Sequence, residues 1–302
     1  MFIVTDNGAN ICANSVDGIT WSLSTLPTTD SWASVAFGNN MFVMVCGQGS
    51  TGSSTAAYSY DGGTWHVSTL PSVSQWGSVV YGNGKFVAVS SSLDTKTAYS
   101  TDGVTWTAST LPASSYWTSV CYGNGTFVAV SGSPSTAAAY SSDGVTWHAS
   151  TLPSSQYWTA VAYGAGVFVT VSQNSTAAAY STDGVTWTAS TLPASSSWGP
   201  VCYGNGTFVA TVFSGGGGGG SISAYSTNGT TWSSATVPAI ANGYISACYG
   251  DNKFVAIGTG QTSTMYSSDG ITWTAGNLPQ SSNWSAIAWG AFVLSSNIVM
   301  II

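Results

Sequence analysis

Few side chains in this sequence are able to do chemistry. Ten aspartates, three lysines, two histidines and five cysteines are set among 302 residues, with no glutamate and no arginine. Six aspartates (Asp17, Asp61, Asp102, Asp143, Asp183 and Asp269) recur in one pattern, Ser-x-Asp-Gly-x-Thr-Trp, and a further copy carries Asn228 in that place. Asn is a poor metal ligand or acid, whereas it builds the same side-chain-to-backbone turn as Asp. These positions therefore read as turn builders. Asp6, Asp30, Asp94 and Asp251 lie outside the pattern. The loops holding Asp6 and Asp30 flank adjacent repeats on one side, and two facing carboxylates are the equipment of glycoside hydrolysis. Solvated loop carboxylates are the favoured reading of that pair. His66 and His148 share a slot that holds Thr107 and Thr188 in other repeats, and neither has a neighbour at metal-ligand spacing. Cys121, Cys202 and Cys248 share a slot with Ala36, Val80, Ala162 and Ala288, which marks a small buried position and free thiols. No catalytic residue, metal site or cofactor is assigned, and the expectation is a chain without catalytic activity.

The elements that must position these residues follow from the repeat. Its Trp stands at Trp21, Trp65, Trp106, Trp147, Trp187, Trp232 and Trp273, 40 to 45 residues apart. Around the copy at Trp147, Trp117 to Gly123 is a first strand and Asn124-Gly125 a two-residue hairpin turn. Residues 126–130 are apolar on both faces, which requires cover on both sides. A Ser/Gly/Pro loop leads to a third strand, Asp143-Gly144 reads as a second tight hairpin, and residues 146–151 form a more polar fourth strand. Leu152-Pro153 then connects to the next repeat. Apolar content falls from first strand to fourth, as in a propeller blade running from axis to rim. The expected fold is all-β: a seven-bladed β-propeller with four antiparallel strands per blade. The chain begins at a second strand, Phe2, and its last full strand is a first strand at Trp284, so the two ends should share one blade and close the ring. Residues 1–290 are then one propeller, and 291–302 an apolar tail.

Ser-x-Asp-Gly-x-Thr-Trp resembles the Asp-box, or BNR repeat, of sialidases and many other propellers, in a form one residue shorter between Asp and Gly. The resemblance spans essentially the whole chain. It implies a propeller with the box on the turn between the third and fourth strands of each blade. Sialidase chemistry needs three arginines and a tyrosine–glutamate pair, and this chain has neither Arg nor Glu.

Composition bounds the rest. Charged residues are 4% of the chain, against about 25% on average. A net charge of -7 with three lysines cannot neutralise a phosphate backbone, so nucleic acid is not expected as a partner. No apolar run reaches the ~20 residues of a spanning helix, so membrane insertion is not expected either. The first residues show no basic or apolar leader and enter the repeat at once, and no secretory leader is expected. The turns after first and third strands are nearly identical among repeats, while the loops at 46–55, 90–96, 131–136, 172–176, 213–223 and 258–264 all differ. Divergent loops on one rigid face read as a recognition surface. Beside them stand Asp30, Gln75, Tyr116, Tyr157 and Asn283, a set suited to neutral sugars, although the favoured reading of Tyr116 and Tyr157 is that they shield the junction between repeats. The Gly215–Gly220 run lacks the lysine and helix of a phosphate loop. In the tail, Phe292, Ile298, Val299, Met300, Ile301 and Ile302 form a candidate peg for another subunit, or equally a tail folded on its own propeller. The Ser/Thr/Gly-rich, nearly uncharged surface resembles tailed-phage tail-fibre, receptor-binding or decoration proteins. The expected role is virion structure or adhesion, with other virion proteins or further copies as partners and a host-surface glycan as ligand. A lectin-like bacterial module is the second expectation, and a hydrolase built on the loop aspartates the third.

Overall fold

The computed structural model describes residues 1–47, 51–213 and 220–292. Among them no residue is helical. The chain opens with β1 to β3 (Phe2–Asp6, Ile11–Ser15, Ser22–Thr25). β4 to β7 (Trp32–Gly38, Met41–Cys46, Ser53–Ser59, His66–Ser74) and β8 to β11 (Trp76–Gly82, Lys85–Ser90, Asp94–Ser100, Thr107–Ser115) follow. Next come β12 to β15 (Trp117–Gly123, Thr126–Ser131, Ser135–Ser141, His148–Gly164) and β16 to β18 (Val167–Gln173, Ser175–Ser181, Thr188–Ser196). β19 to β22 (Trp198–Gly204, Thr207–Val212, Gly220–Ser226, Ser233–Ile240), β23 to β26 (Tyr244–Gly250, Lys253–Gly258, Gln261–Ser267, Thr274–Ser282) and β27 (Trp284–Trp289) complete it.

Five sheets have four strands and one has seven. In the seven-stranded sheet β15 is shared. It pairs with β14 up to Ser135↔Gln156 and with β16 from Tyr157↔Gln173 onwards. The first sheet is completed from the far end of the chain: β27 lies on β1, with Phe2↔Trp289, Ile3↔Ala288 and Val4↔Ile287 as partners. Inner strands touch in a cycle: β4, β8, β12, β15, β19, β23, β27 and β4 again. Second strands such as Phe127, Val128, Ala129 and Val130 are fully buried, because neighbouring sheets cover both their faces.

One close approach recurs round the cycle. A methyl group at Gly123, the last residue of β12, would lie 2.0 Å from Cγ of Tyr163 on the next inner strand. The same holds for Gly38 under Tyr81, Gly82 under Tyr122, Gly164 under Tyr203, Gly204 under Tyr249, Gly250 under Trp289 and Gly290 under Phe37. Glycine is required there by an aromatic ring seated on its backbone, and the last contact joins the two ends of the chain. These rings floor one end of the axis.

Two local expectations are corrected. Asp143-Gly144 is not a two-residue hairpin. β14 ends at Ser141 and β15 starts at His148, so residues 142–147 make a broader turn. Its cause is Asp143, whose Oδ1 accepts from the Val145 and Thr146 amides, both at 2.8 Å, and curls the chain. Nor are the Leu-Pro segments loops from the second repeat onwards, although Leu26-Pro27 does lie beyond β3. β11 runs on through Leu111 and Pro112 to Ser115, which pairs with Asp94 beyond a bulge. Proline is tolerated because this is an outer strand with one unpaired edge, and Leu111 is buried beneath it.

Candidate functional site: the axial mouth

The opposite end of the axis is open. Strands β4, β8, β12, β19, β23 and β27 contribute their first few residues, and β15 contributes Thr159 to Val161 past its midpoint, to a cavity of about 400 Å³. The residue after the opening Trp or Tyr varies among them: Ala33, Gly77, Thr118, Thr159, Gly199, Ile245 and Ser285. Among the described residues no charged side chain lines the cavity.

Hydroxyls bind inner strands to one another here in two ways. In the outer tier the hydroxyl donates to the next strand: Thr118 Oγ1 to Trp158 O at 2.8 Å, Thr159 Oγ1 to Trp198 O at 2.9 Å and Ser285 Oγ to Trp32 O at 2.6 Å. One residue deeper the hydroxyl accepts from the next strand's amide: Ser34 from Val79 N at 3.1 Å, Ser78 from Val120 N at 3.2 Å, Ser119 from Val161 N at 3.1 Å and Ser246 from Ile287 N at 3.2 Å. β19 carries Gly199 and Pro200 at these two depths, so it has no hydroxyl to offer β23. Phe213 and Ile245 line the cavity on that side.

The residues expected to bind ligand stand around this mouth. Gln75, Tyr116, Tyr157 and Asn283 each directly precede the first aromatic of an inner strand. Their backbones extend the inner ladder: Ser91 N donates to Gln75 O at 2.7 Å, Gly132 N to Tyr116 O at 2.8 Å and Asn7 N to Asn283 O at 2.8 Å, while Tyr157 pairs with Gln173. Tyr116 and Tyr157 are 43% and 46% exposed, so their rings are open to solvent rather than sealed in a sheet junction. Asp30 sits one residue earlier in its repeat. Its Oδ1 accepts from Ser31 N at 2.9 Å and its Oδ2 from Ser53 Oγ at 3.2 Å, so its carboxylate is committed to tying its own loop to β6. Phe292 packs in cis, its ring 5.2 Å from Phe37 and 5.6 Å from Phe42. Ile298, Val299, Met300, Ile301 and Ile302 lie outside the described residues, as does the glycine run apart from Gly220.

Asp6 requires a correction. It is not a solvated loop carboxylate: it ends β1 and is 1% exposed, because β27 covers it, and its Oδ2 has no partner among the described residues. The Asp6 and Asp30 segments do meet, through Asn7↔Ser31 and Gly8 N to Asp30 O at 3.1 Å, but one carboxylate is buried and the other is engaged by Ser31 and Ser53. His66 and His148 are exposed and lie against Tyr58 and Tyr140, each at 5.3 Å. The five cysteines are free thiols. Burial pushes Cys12 and Cys202 up to about 12, far from the reactive thiolate range.

At the far rim the box turns share one network. In the copy at Asp102, Ser100 Oγ donates to Asp102 Oδ1 at 2.9 Å and accepts from Gly103 N at 2.8 Å. The same Oδ1 accepts from Val104 N at 2.8 Å and Thr105 N at 2.7 Å. Asn228 reproduces this with Thr230 N at 2.9 Å and Thr231 N at 3.0 Å, as its exchange for Asp requires. The Thr105 amide, followed by the Val104 amide, holds Asp102 down to about 2 despite the opposing effect of desolvation.

The sequence reading did not find the cavity itself. Its signal lay in the residue after each opening aromatic, which differs between repeats that are otherwise close copies.

The sequence matches no protein-family model and no curated protein. Solved structures do resemble the fold. Virginiamycin B lyase from Staphylococcus aureus superposes with a TM-score of 0.71 at 11% identity, covering 92% of this chain and 89% of that one. A streptogramin B lyase gives 0.72 at 11%, over 84% and 85%. YCF48 bound to a D1 peptide gives 0.62 at 20%, over 83% and 82%. These neighbours are β-propellers, and the likeness is one of fold. They also correct the expectation that this chain lacks catalytic activity. Two of them are lyases, so the architecture is one on which enzymes are built, and absence of activity cannot be read from the inventory of Asp, His and Cys.

Proposed function

We propose that this chain is a recognition module that binds a neutral surface glycan through the face carrying the divergent loops. The observation that carries the reading is the contrast within one repeat slot. The slot before each inner strand holds Ser31, Gln75, Tyr116, Tyr157, Ser197, Gly243 and Asn283, although the backbone around it repeats. Exposed tyrosines beside amides and hydroxyls offer stacking faces and neutral hydrogen bonds, the chemistry that suits sugars.

The proposal includes the finer architecture. It takes residues 1–290 as one seven-bladed propeller of the Asp-box type, with β15 as the outer strand of one blade and the inner strand of the next. The seven-membered cycle of inner strands supports that count. We assign the role to a tailed-phage virion protein, a tail fibre, receptor-binding or decoration protein. The low charge and Ser/Thr/Gly-rich surface support this assignment. In it, residues 293–302 dock on other virion proteins or on further copies.

Two measurements test these statements. On an array of neutral and anionic glycans, the chain should bind neutral ones, and Tyr116→Ala with Tyr157→Ala should weaken binding about tenfold. Binding unchanged by that pair rejects the loop face. Antibodies raised against the chain should label intact particles of the phage that encodes it. Label confined to a bacterial wall or secreted fraction would favour the lectin-like module instead.

A further inference from the structure

We infer that the axial cavity is a subsite for a neutral sugar unit bearing a methyl group, as an acetamido or a deoxy sugar does. This inference rests on the proposed recognition face and adds to it a location and a ligand class.

Hydrogen-bond polarity at the mouth follows from the bonds already made. Thr118 and Thr159 spend their hydroxyl protons on the Trp158 and Trp198 carbonyls, which leaves lone pairs that accept from a ligand. Ser34, Ser119 and Ser246 accept from backbone amides, which can only donate, so their own protons are left to donate. One side of the cavity thus presents acceptors at its entrance and donors one layer down. A ligand that meets both carries groups able to give and take a hydrogen bond at neighbouring positions, as a sugar's hydroxyls do.

The other side is apolar. Between β19 and β23 the hydroxyls give way to Gly199 and Pro200, and Phe213 and Ile245 line the wall. A fully hydroxylated sugar would leave polar groups unpaired against that wall, at a cost. A methyl group fills it. Among the described residues the walls carry no charged side chain, so a carboxylate or phosphate would be desolvated without a counter-charge. The volume of about 400 Å³ lies at the small end of ligand sites, which run from about 300 to 1,000 Å³. It suits one or two sugar units rather than a long chain.

The test uses four monosaccharides, N-acetylglucosamine, L-rhamnose, glucose and N-acetylneuraminic acid, titrated into the full chain and followed by saturation-transfer NMR. N-acetylglucosamine or L-rhamnose should bind about tenfold more tightly than glucose, the scale of one apolar group in a fitted pocket, and the anionic sugar should show no saturable binding. Ala160→Trp, which fills the cavity, should abolish binding. Phe213→Ala, at the rim, should reduce the preference over glucose, and an undiminished preference overturns the role of the apolar wall. An unchanged melting temperature for each variant excludes misfolding as the cause. Sugar binding that survives Ala160→Trp overturns the subsite yet leaves the recognition face standing, since Tyr116 and Tyr157 lie outside the cavity walls. Equal affinity for glucose and the methyl-bearing sugars overturns the ligand class, and tighter binding of N-acetylneuraminic acid overturns the neutral character of the site. A lack of binding by all four overturns the inference, while the glycan array judges the recognition face separately.

Discussion

The two ends of the axis are made from the same seven strands and differ in almost every respect. At the floor a glycine at the end of each inner strand, or just after it in β27, lies beneath an aromatic ring of the neighbour, seven times over. At the mouth the equivalent positions hold Ala, Gly, Thr, Ile or Ser, and the junctions are joined by hydroxyls in two different ways. A repeat copied in sequence can keep one end uniform only if packing demands it, and can let the other end vary only if packing does not. The floor is therefore where the ring is held, and the mouth is where the chain is free to acquire specificity.

The largest expected effect breaks the floor. Gly123→Ala places a methyl 2.0 Å from Tyr163 Cγ, so the ring or a strand must shift. The cost should be about 3 kcal/mol or more, read as a lowered denaturant midpoint. Gly125, two residues on, has nothing within 4 Å of the same methyl and only a positive φ of 77°. Gly125→Ala should cost about 1–2 kcal/mol. Equal losses at the two sites would deny the floor its special role.

The box turns offer a sharper distinction. Asp102→Ala removes the acceptor of two backbone amides and of Ser100 and should cost about 1–2 kcal/mol, whereas Asp102→Asn should cost well under half of that, because Asn228 already makes the turn. Acid should act on the same rim. Asp17, Asp61 and Asp102 are each held down to about 2, with the Thr20, Thr64 and Thr105 amides as the first cause respectively. Their folded values lie below the unfolded value of about 3.9. The stability they contribute is thus complete above about pH 4 and falls away as pH drops towards 2. A melting temperature that rises between pH 4 and pH 2 would contradict this. Substituting Asn at all six positions should flatten the dependence.

The smallest effect lies at the mouth. The β19–β23 junction lacks the hydroxyl bonds found at the others, so amides of β23 should exchange hydrogen faster than those of β12. Thr159→Val removes the donor to Trp198 O. It should cost about 1 kcal/mol and speed exchange at the β15–β19 junction.

The repeat was legible because its determinants are local. Ser, Asp and Gly within four residues write a turn whatever surrounds them, and the wholly apolar second strands announce cover on both faces. The completion of the first sheet by β27 was legible from counting alone. The extent of the outer strands was not. Leu111-Pro112 looks like a break, and only pairing of Ser115 with Asp94 beyond a bulge makes it strand. Asp6 looked solvated because its cover comes from the opposite end of the chain. The cavity was hidden for the same reason: its walls are single residues from seven strands, and no one repeat contains them.

The central claim is that the chain closes on itself, with β27 laid against β1. It is tested most directly by a disulfide between Ile3→Cys and Ala288→Cys, partners across that pair, in a background with the native cysteines replaced. Mild oxidation should join the two positions within one chain at high yield, found by mass spectrometry of the proteolysed monomer, and the joined form should melt higher than the reduced one. A bond that forms only between chains, or none under conditions that oxidise a control pair, would contradict the closed ring.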